Sequence, residues 1–209
     1  MEIIKKLKWR YACKKFDANK KLSTSQIETI KNAFNLTATS FGLQPLKMLV
    51  IKDDSLKNKL LPHAFNQQQV STCSHLLVIC IDTEINETTI HTHFELEKEI
   101  RGVTEESISG FKKQLKGMFA EKSNLEIEKS SIQQAYLALG NLMTVCAIEK
   151  IDSCPMEGFL PHKFDEELKL SQQKLKAILL LPVGFRAEDD FMSKLKKVRK
   201  PIEETIIEL

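Results

Sequence analysis

Leu76-Leu77-Val78-Ile79-Cys80-Ile81 and Ala177-Ile178-Leu179-Leu180-Leu181-Pro182-Val183 decide the fold. Both runs are apolar throughout, too short for a typical helix, and offer no polar face to water. Such runs predict strands buried on both faces. Met48-Leu49-Val50-Ile51 is a shorter run of the same kind. Because long helical patterns separate the three, the sequence predicts an α/β or α+β layer, a sheet with helices on both sides.

The helical patterns lie outward from these runs. Ile3, Ile4 and Leu7 predict a short amphipathic helix over residues 2–9. Ser23 with Gln26 three residues later forms a capping box, and Ile27, Ile30, Ala33 and Phe34 give the following helix one apolar face to about Leu36. The breaker-rich segment from Thr37 to Pro45 reads as a loop, and Asp53 or Asp54 caps a helix to about Leu61. Residues 104–121 read as an exposed charged helix. Ile132 to Ile148 is apolar nearly all round, which predicts a helix enclosed on every side and points to a subunit interface. Gly140 costs that helix about 1 kcal/mol relative to Ala, so a second backbone is expected to pass close by. Glu203 to Leu209 reads as an extended arm with nothing of its own to bury.

The composition fits one domain spanning residues 1–209, with 42% hydrophobic and 28% charged residues. No apolar run approaches the roughly 20 residues needed to cross a bilayer, so neither a membrane segment nor a signal peptide is expected. The five cysteines, 13, 73, 80, 146 and 154, are odd in number and never spaced CxxC, as expected of reduced thiols in a cytoplasmic protein without disulfides or zinc. A net charge of +3 is too mild to announce nucleic-acid binding. The one dense basic group is Lys194, Lys196, Lys197, Arg199 and Lys200, which on charge alone reads as a solvated tail.

Chemistry-bearing motifs are sparse. GxSxG, HExxH, Walker A and GxGxxG are all missing. His91, His93 and Glu95 read as a solvated helix surface rather than a metal site, because a spacing of two splays side chains apart. What remains is a series of anion-binding and amide-rich segments: Arg10 with Lys14, Ser40 to Gln44, Asn66 to Gln69, Pro155 to Phe159, and Lys197-x-Arg199. Hard chemistry would then come from a bound phosphate-bearing cofactor.

These segments, in order and spacing, resemble the flavin-dependent nitroreductase family, in particular its oxygen-insensitive NAD(P)H nitroreductase and dihydropteridine reductase branch. The matching pieces are Arg10-x-x-x-Lys14-x-Phe16-Asp17, Ser40-x-Gly42-x-Gln44-Pro45, Phe65-Asn66, Ala135-Tyr136-Leu137-x-x-Gly140-Asn141, Pro155-Met156-Glu157-Gly158-Phe159, Pro182-Val183-Gly184 and Lys197-x-Arg199. The resemblance implies an α+β fold with a mostly antiparallel central sheet flanked by helices. It also implies an intertwined homodimer, with FMN sites between subunits and the C-terminal arm reaching the partner.

The resemblance further implies that Arg10, Lys197 and Arg199 hold the FMN phosphate, with Tyr11 and Ala12 in the same turn, and that Lys14 lies beside flavin N1 and O2. Asn66 would pair with the pyrimidine edge. Ser40, Gly42 and Gln44 would belong to a loop serving the partner's flavin. Pro155, Met156, Glu157 and Gly158 would cover one ring face, the amides of Glu157 and Gly158 pointing to N5 and O4. Two departures stand out: Ala12 and Cys13 occupy positions where a hydroxyl often meets the phosphate, and Gln69 stands where a lysine is common. The implied activity is ping-pong hydride transfer from NADH or NADPH to a small-molecule acceptor such as a nitroaromatic, quinone or pteridine, with no membrane or nucleic-acid partner. The alternatives are a flavin reductase and a flavin-binding protein without turnover.

Overall fold

The computed structural model describes residues 2–209. Eight helices, α1 (Glu2–Trp9), α2 (Thr24–Asn35), α3 (Asp54–Leu60), α4 (Gln69–Thr72), α5 (Glu87–Arg101), α6 (Glu105–Ala120), α7 (Asn124–Ile148) and α8 (Pro161–Glu167), surround a sheet of β1 (Leu46–Ile51), β2 (His75–Asp82), β3 (Asp152–Ser153) and β4 (Leu175–Gly184). The strand order is β1-β2-β4-β3, and each neighbouring pair is antiparallel.

Alternation along β2 divides its side chains between two cores. Leu76, Val78 and Cys80 join Leu180, Phe16, Phe159 and Phe164 on one face; Leu77, Ile79 and Ile81 join Leu179 and Leu181 on the other, beneath α2 and α7. A third, smaller cluster of Leu43, Ile90, Phe94, Ile108 and Leu115 holds α5 and α6 together.

Local signals fix the helix starts. The Ser23–Gln26 capping box opens α2, and Asp53, not Asp54, caps α3 by accepting from the Leu56 amide at 2.7 Å. α7 begins earlier than the apolar pattern predicts, because Ser123 and Glu126 form a second capping box ahead of a polar first turn. Two expectations about α7 need correction within the chain. One face, with Ala135, Ala138, Leu142 and Cys146, is buried, but Tyr136, Leu137 and Ile148 on the other are exposed. Nothing lies within 4 Å of where a Cβ on Gly140 would sit, so no second backbone of this chain passes there.

Candidate functional site: a cationic cleft beside a buried amide and thiol

α1 ends at Trp9, and the chain then runs extended past β3, where Ala12 bridges Ser153 and the Cys13 amide donates to the Ser153 carbonyl at 3.2 Å. In extended chain, alternate residues face opposite ways. Trp9 and Tyr11 clasp the Arg186 guanidinium, 4.4 and 4.5 Å from their ring centroids. Arg186 is anchored in turn to buried Asp152, its Nε donating at 2.8 Å. Arg10, between them, turns toward the C-terminal segment.

There it lines a cleft of about 310 Å³ together with Ile4, Leu7, Lys8, Lys197 and Arg199. Lys197 Nζ donates to the Leu7 carbonyl at 3.1 Å and also to the Arg10 carbonyl, tying the tail to the end of α1. Arg10 Nε is buried and, among the described residues, has no hydrogen-bond partner. Burial and then the nearby Arg199 charge lower the Arg10 pKa; burial, Arg10 and Arg199 lower that of Lys197. Among the described residues, no carboxylate lines the cleft. Like charges gathered around an unpartnered donor are suited to an anion, and a guanidinium fork suits a phosphate.

A second group lies on the other side of the same turn. Lys14 Nζ is 3.7 Å from Cys154 Sγ, and Gln69 Nε2 is 4.0 Å from the same sulfur. Gln69 also donates to Gln67 Oε1 at 3.2 Å, and Gln67 Nε2 donates to the Gly158 carbonyl at 2.7 Å. Burial raises the Cys154 thiol pKa, so the group is neutral. Lys14, expected beside flavin N1 and O2, and Gln69, at the position where a lysine is common, thus converge on one thiol.

In the segment from Pro155 to Gly158, Met156 turns into the core, its amide and carbonyl both paired with Leu180, at 2.9 and 3.0 Å. Glu157 and Gly158 are exposed, and among the described residues their amides meet no acceptor. Glu157 Oε1 accepts from the Tyr136 hydroxyl at 2.8 Å. Asn66 is exposed in a left-handed turn, φ +54°.

Ser40, Gly42 and Gln44 do not join this cluster. The Ser40 amide donates to Gln134 Oε1 at 2.9 Å, Gly42 holds φ +70° against the His93 ring, and Gln44 Nε2 donates to the Asn35 carbonyl at 3.0 Å. Arg10 lies by the Cys146 end of α7, on the order of 20 Å along the helix from Gln134 at 1.5 Å per residue.

The nitroreductase family model matches residues 7–185. The chain belongs to the nitroreductase family. A Staphylococcus haemolyticus protein assigned as an NAD(P)H nitroreductase is 31% identical over 98% of this chain and 95% of its own length. Among solved structures, a Bacillus subtilis protein assigned as a nitroreductase superposes with a TM-score of 0.88 at 18% identity, covering 100% of this chain and 99% of its own. A further one, from Exiguobacterium sibiricum and solved in complex with FMN, gives 0.84 at 22%, covering 100% and 98%.

In this nitroreductase-family chain, sequence reasoning missed three contributors to the site. Cys154 reads only as a reduced thiol, Gln67 only as part of the segment Asn66 to Gln69, and Asp190 not at all. Asp190 belongs to the run Glu188-Asp189-Asp190, which looks like solvated charge. Nothing in the sequence separates Asp190, which is buried, from Asp189, which is exposed.

Proposed function

We propose that the chain is an FMN-dependent NAD(P)H oxidoreductase that works as a homodimer. The observation that carries this reading is the cleft in which Arg10, Lys197 and Arg199, nearly 190 residues apart in sequence, converge around an unpartnered Arg10 Nε with no carboxylate. The residues fit a flavin mononucleotide. Arg10, Lys197 and Arg199 would hold the phosphate, Lys14 and Gln69 would face the pyrimidine side, and the free amides of Glu157 and Gly158 would serve the ring edge. When bound, FMN supplies the two-electron carrier for a ping-pong exchange between NADH or NADPH and a nitroaromatic, quinone or pteridine acceptor. Lys14 provides a fixed cation where negative charge would collect. With no side chain required as a general acid, protons come from solvent.

The dimer explains what the single chain leaves open. Ser40, Gly42 and Gln44 lie too far from Arg10 to share a site with it in one chain, but would reach a partner's flavin. The outer face of α7, with Tyr136, Leu137 and Gly140, would meet its counterpart. The arm from Ile202 to Leu209 would reach the groove of about 970 Å³ along the free edge of β1, lined in part by Gln44, Lys47, Val50 and Leu96. No helix among the described residues is long and apolar enough to cross a membrane, and the five buried free thiols suit a cytoplasmic protein.

The phosphate assignment is tested with riboflavin, which lacks the phosphate. Arg10→Ala or Arg199→Ala removes a charge-assisted contact worth about 1.5 to 3 kcal/mol, lowering FMN affinity about tenfold or more. Riboflavin affinity stays that of the parent, and unchanged FMN affinity in both variants refutes the placement. Turnover is tested separately: bound flavin bleaches with NAD(P)H and recovers its colour on adding nitrofurazone.

A further inference from the structure

Two segments carry the cations of the cleft: the turn after α1, with Arg10 and Lys14, and the segment after β4, with Lys197 and Arg199. Arg10 repels Lys197 and Arg199, so these charges alone would drive the two cation-bearing sites apart. Lys197 and the exposed Lys15–Asp189 pair reach across between them, and one buried carboxylate joins them. Asp190 is 1% exposed, and its Oδ2 accepts from the Lys14 amide at 2.9 Å, the Tyr11 hydroxyl at 3.0 Å and the Lys15 amide at 3.3 Å. Its Oδ1 accepts from the Met192 amide at 3.1 Å, and its carbonyl accepts from Ser193 Oγ at 2.7 Å, which starts the turn leading toward Lys197. Asp189, next to it, pairs only with Lys15 in solvent.

We propose that Asp190 is a positioning residue for phosphate recognition, a clasp that sets the turn carrying Arg10 at the right distance from the segment carrying Lys197 and Arg199. The inference rests on the phosphate reading above. One carboxylate oxygen serves the turn and the other serves the segment, so both oxygens must accept at once. An amide cannot do this: Asn at 190 keeps one acceptor and turns an NH₂ toward N–H groups already there. The clasp also explains the use of Tyr11. Its hydroxyl is committed to Asp190 rather than left for the phosphate, while its ring packs on Arg186.

The readout is the ratio of the riboflavin and FMN dissociation constants, which reports the phosphate contribution alone. General loosening of the fold weakens both ligands together and leaves the ratio where it was. Asp190→Asn in the full-length protein should lower the ratio about tenfold, with riboflavin binding close to the parent's. Tyr11→Phe, which removes one donor and keeps the ring, should lower it about threefold and decides the matter if Asp190→Asn does not fold. A ratio equal to the parent's in the variants that fold overturns the clasp. Arg10→Ala runs beside them: if it collapses the ratio while Asp190→Asn does not, the clasp alone fails, and if it leaves the ratio unchanged the phosphate reading fails and the clasp with it.

Discussion

β4 and the segment after Gly184 carry similar apolar side chains in opposite settings. Leu179, Leu180 and Leu181 are wholly buried between two helical layers, whereas Leu195, Val198 and Ile207 are 60%, 84% and 85% exposed. The inner strands of the sheet complete their packing within one chain. The tail does not, and two other features are likewise left open in the single chain, the outer face of α7 and the free edge of β1. Isolated exposed apolar residues are ordinary, but several of them along one segment are what the proposed homodimer would cover. In the proposed homodimer, core and tail would therefore differ in what stabilises them: packing for the first, association for the second.

The sharpest way to break that comparison is to damage each region separately. Deleting residues 195–209 should leave the far-ultraviolet circular dichroism of the sheet and helices in place while the dimer, about 48 kDa as twice the 23.9 kDa chain, separates into monomers that no longer retain FMN. Leu180→Ala should do the reverse, lowering stability by about 2 to 5 kcal/mol through a core cavity while the dimer persists. A truncated chain still eluting as a dimer with flavin bound would show that the tail is an ornament on a self-sufficient interface.

A smaller effect sharpens the account of the core. His75 begins β2 in a buried position, its Nδ1 2.9 Å from Ser74 Oγ, which itself accepts from the Leu22 amide at 2.7 Å. Burial, and then the charges of Lys52, Lys57 and Lys21, lower its pKa from 6.5 to about 4. The unfolded chain therefore binds a proton through a range of pH in which the folded one does not. Stability is full above pH 6.5 and declines as the pH falls toward 4, by an amount on the order of 3 kcal/mol. Denaturant melts of the parent between pH 4 and 7 should show this slope, and His75→Asn should flatten it. The tail contains no histidine and the groove proposed for it is lined by His93, not His75, so His75→Asn should leave dimer dissociation over the same range unchanged.

How much of this was legible in the sequence follows from the range of the forces involved. The three long strands and the capped start of α2 were readable because an apolar run and a capping box are local patterns. β3 was not, since Asp152 and Ser153 carry no strand signal and pair only because Gly184 and Val183 lie alongside. The outer face of α7 was read correctly as apolar but not as open, because enclosure depends on what other chain stands there. Arg10 and Arg199 were joined by a family resemblance rather than by their own residue types. Asp190 remained invisible, as burial of one acid in a run of three is decided by the tertiary structure.

The smallest predicted effect lies between core and tail, at Gln69. Its side chain is buried, and its amide is held between Gln67 Oε1 and Cys154 Sγ, the sulfur that Lys14 Nζ also reaches. In the proposed site, a neutral amide there would leave Lys14 as the main cation beside the flavin's pyrimidine side. Gln69→Lys would put a second positive charge next to the first, favouring the reduced anionic flavin. It would also cost something, because the new ammonium must be accommodated near Lys14 and loses the Gln67 contact. The net rise in two-electron midpoint potential should therefore be modest, about 30 mV, equivalent to roughly 1.4 kcal/mol. Gln67→Lys and Gln68→Lys are the controls: Gln68 is exposed and should leave the potential unchanged, while Gln67→Lys breaks the tie to the Gly158 carbonyl and should loosen the flavin instead. Spectroelectrochemistry that finds the parent's potential in Gln69→Lys, with FMN still bound, would place this residue away from the flavin and leave Lys14 alone beside it.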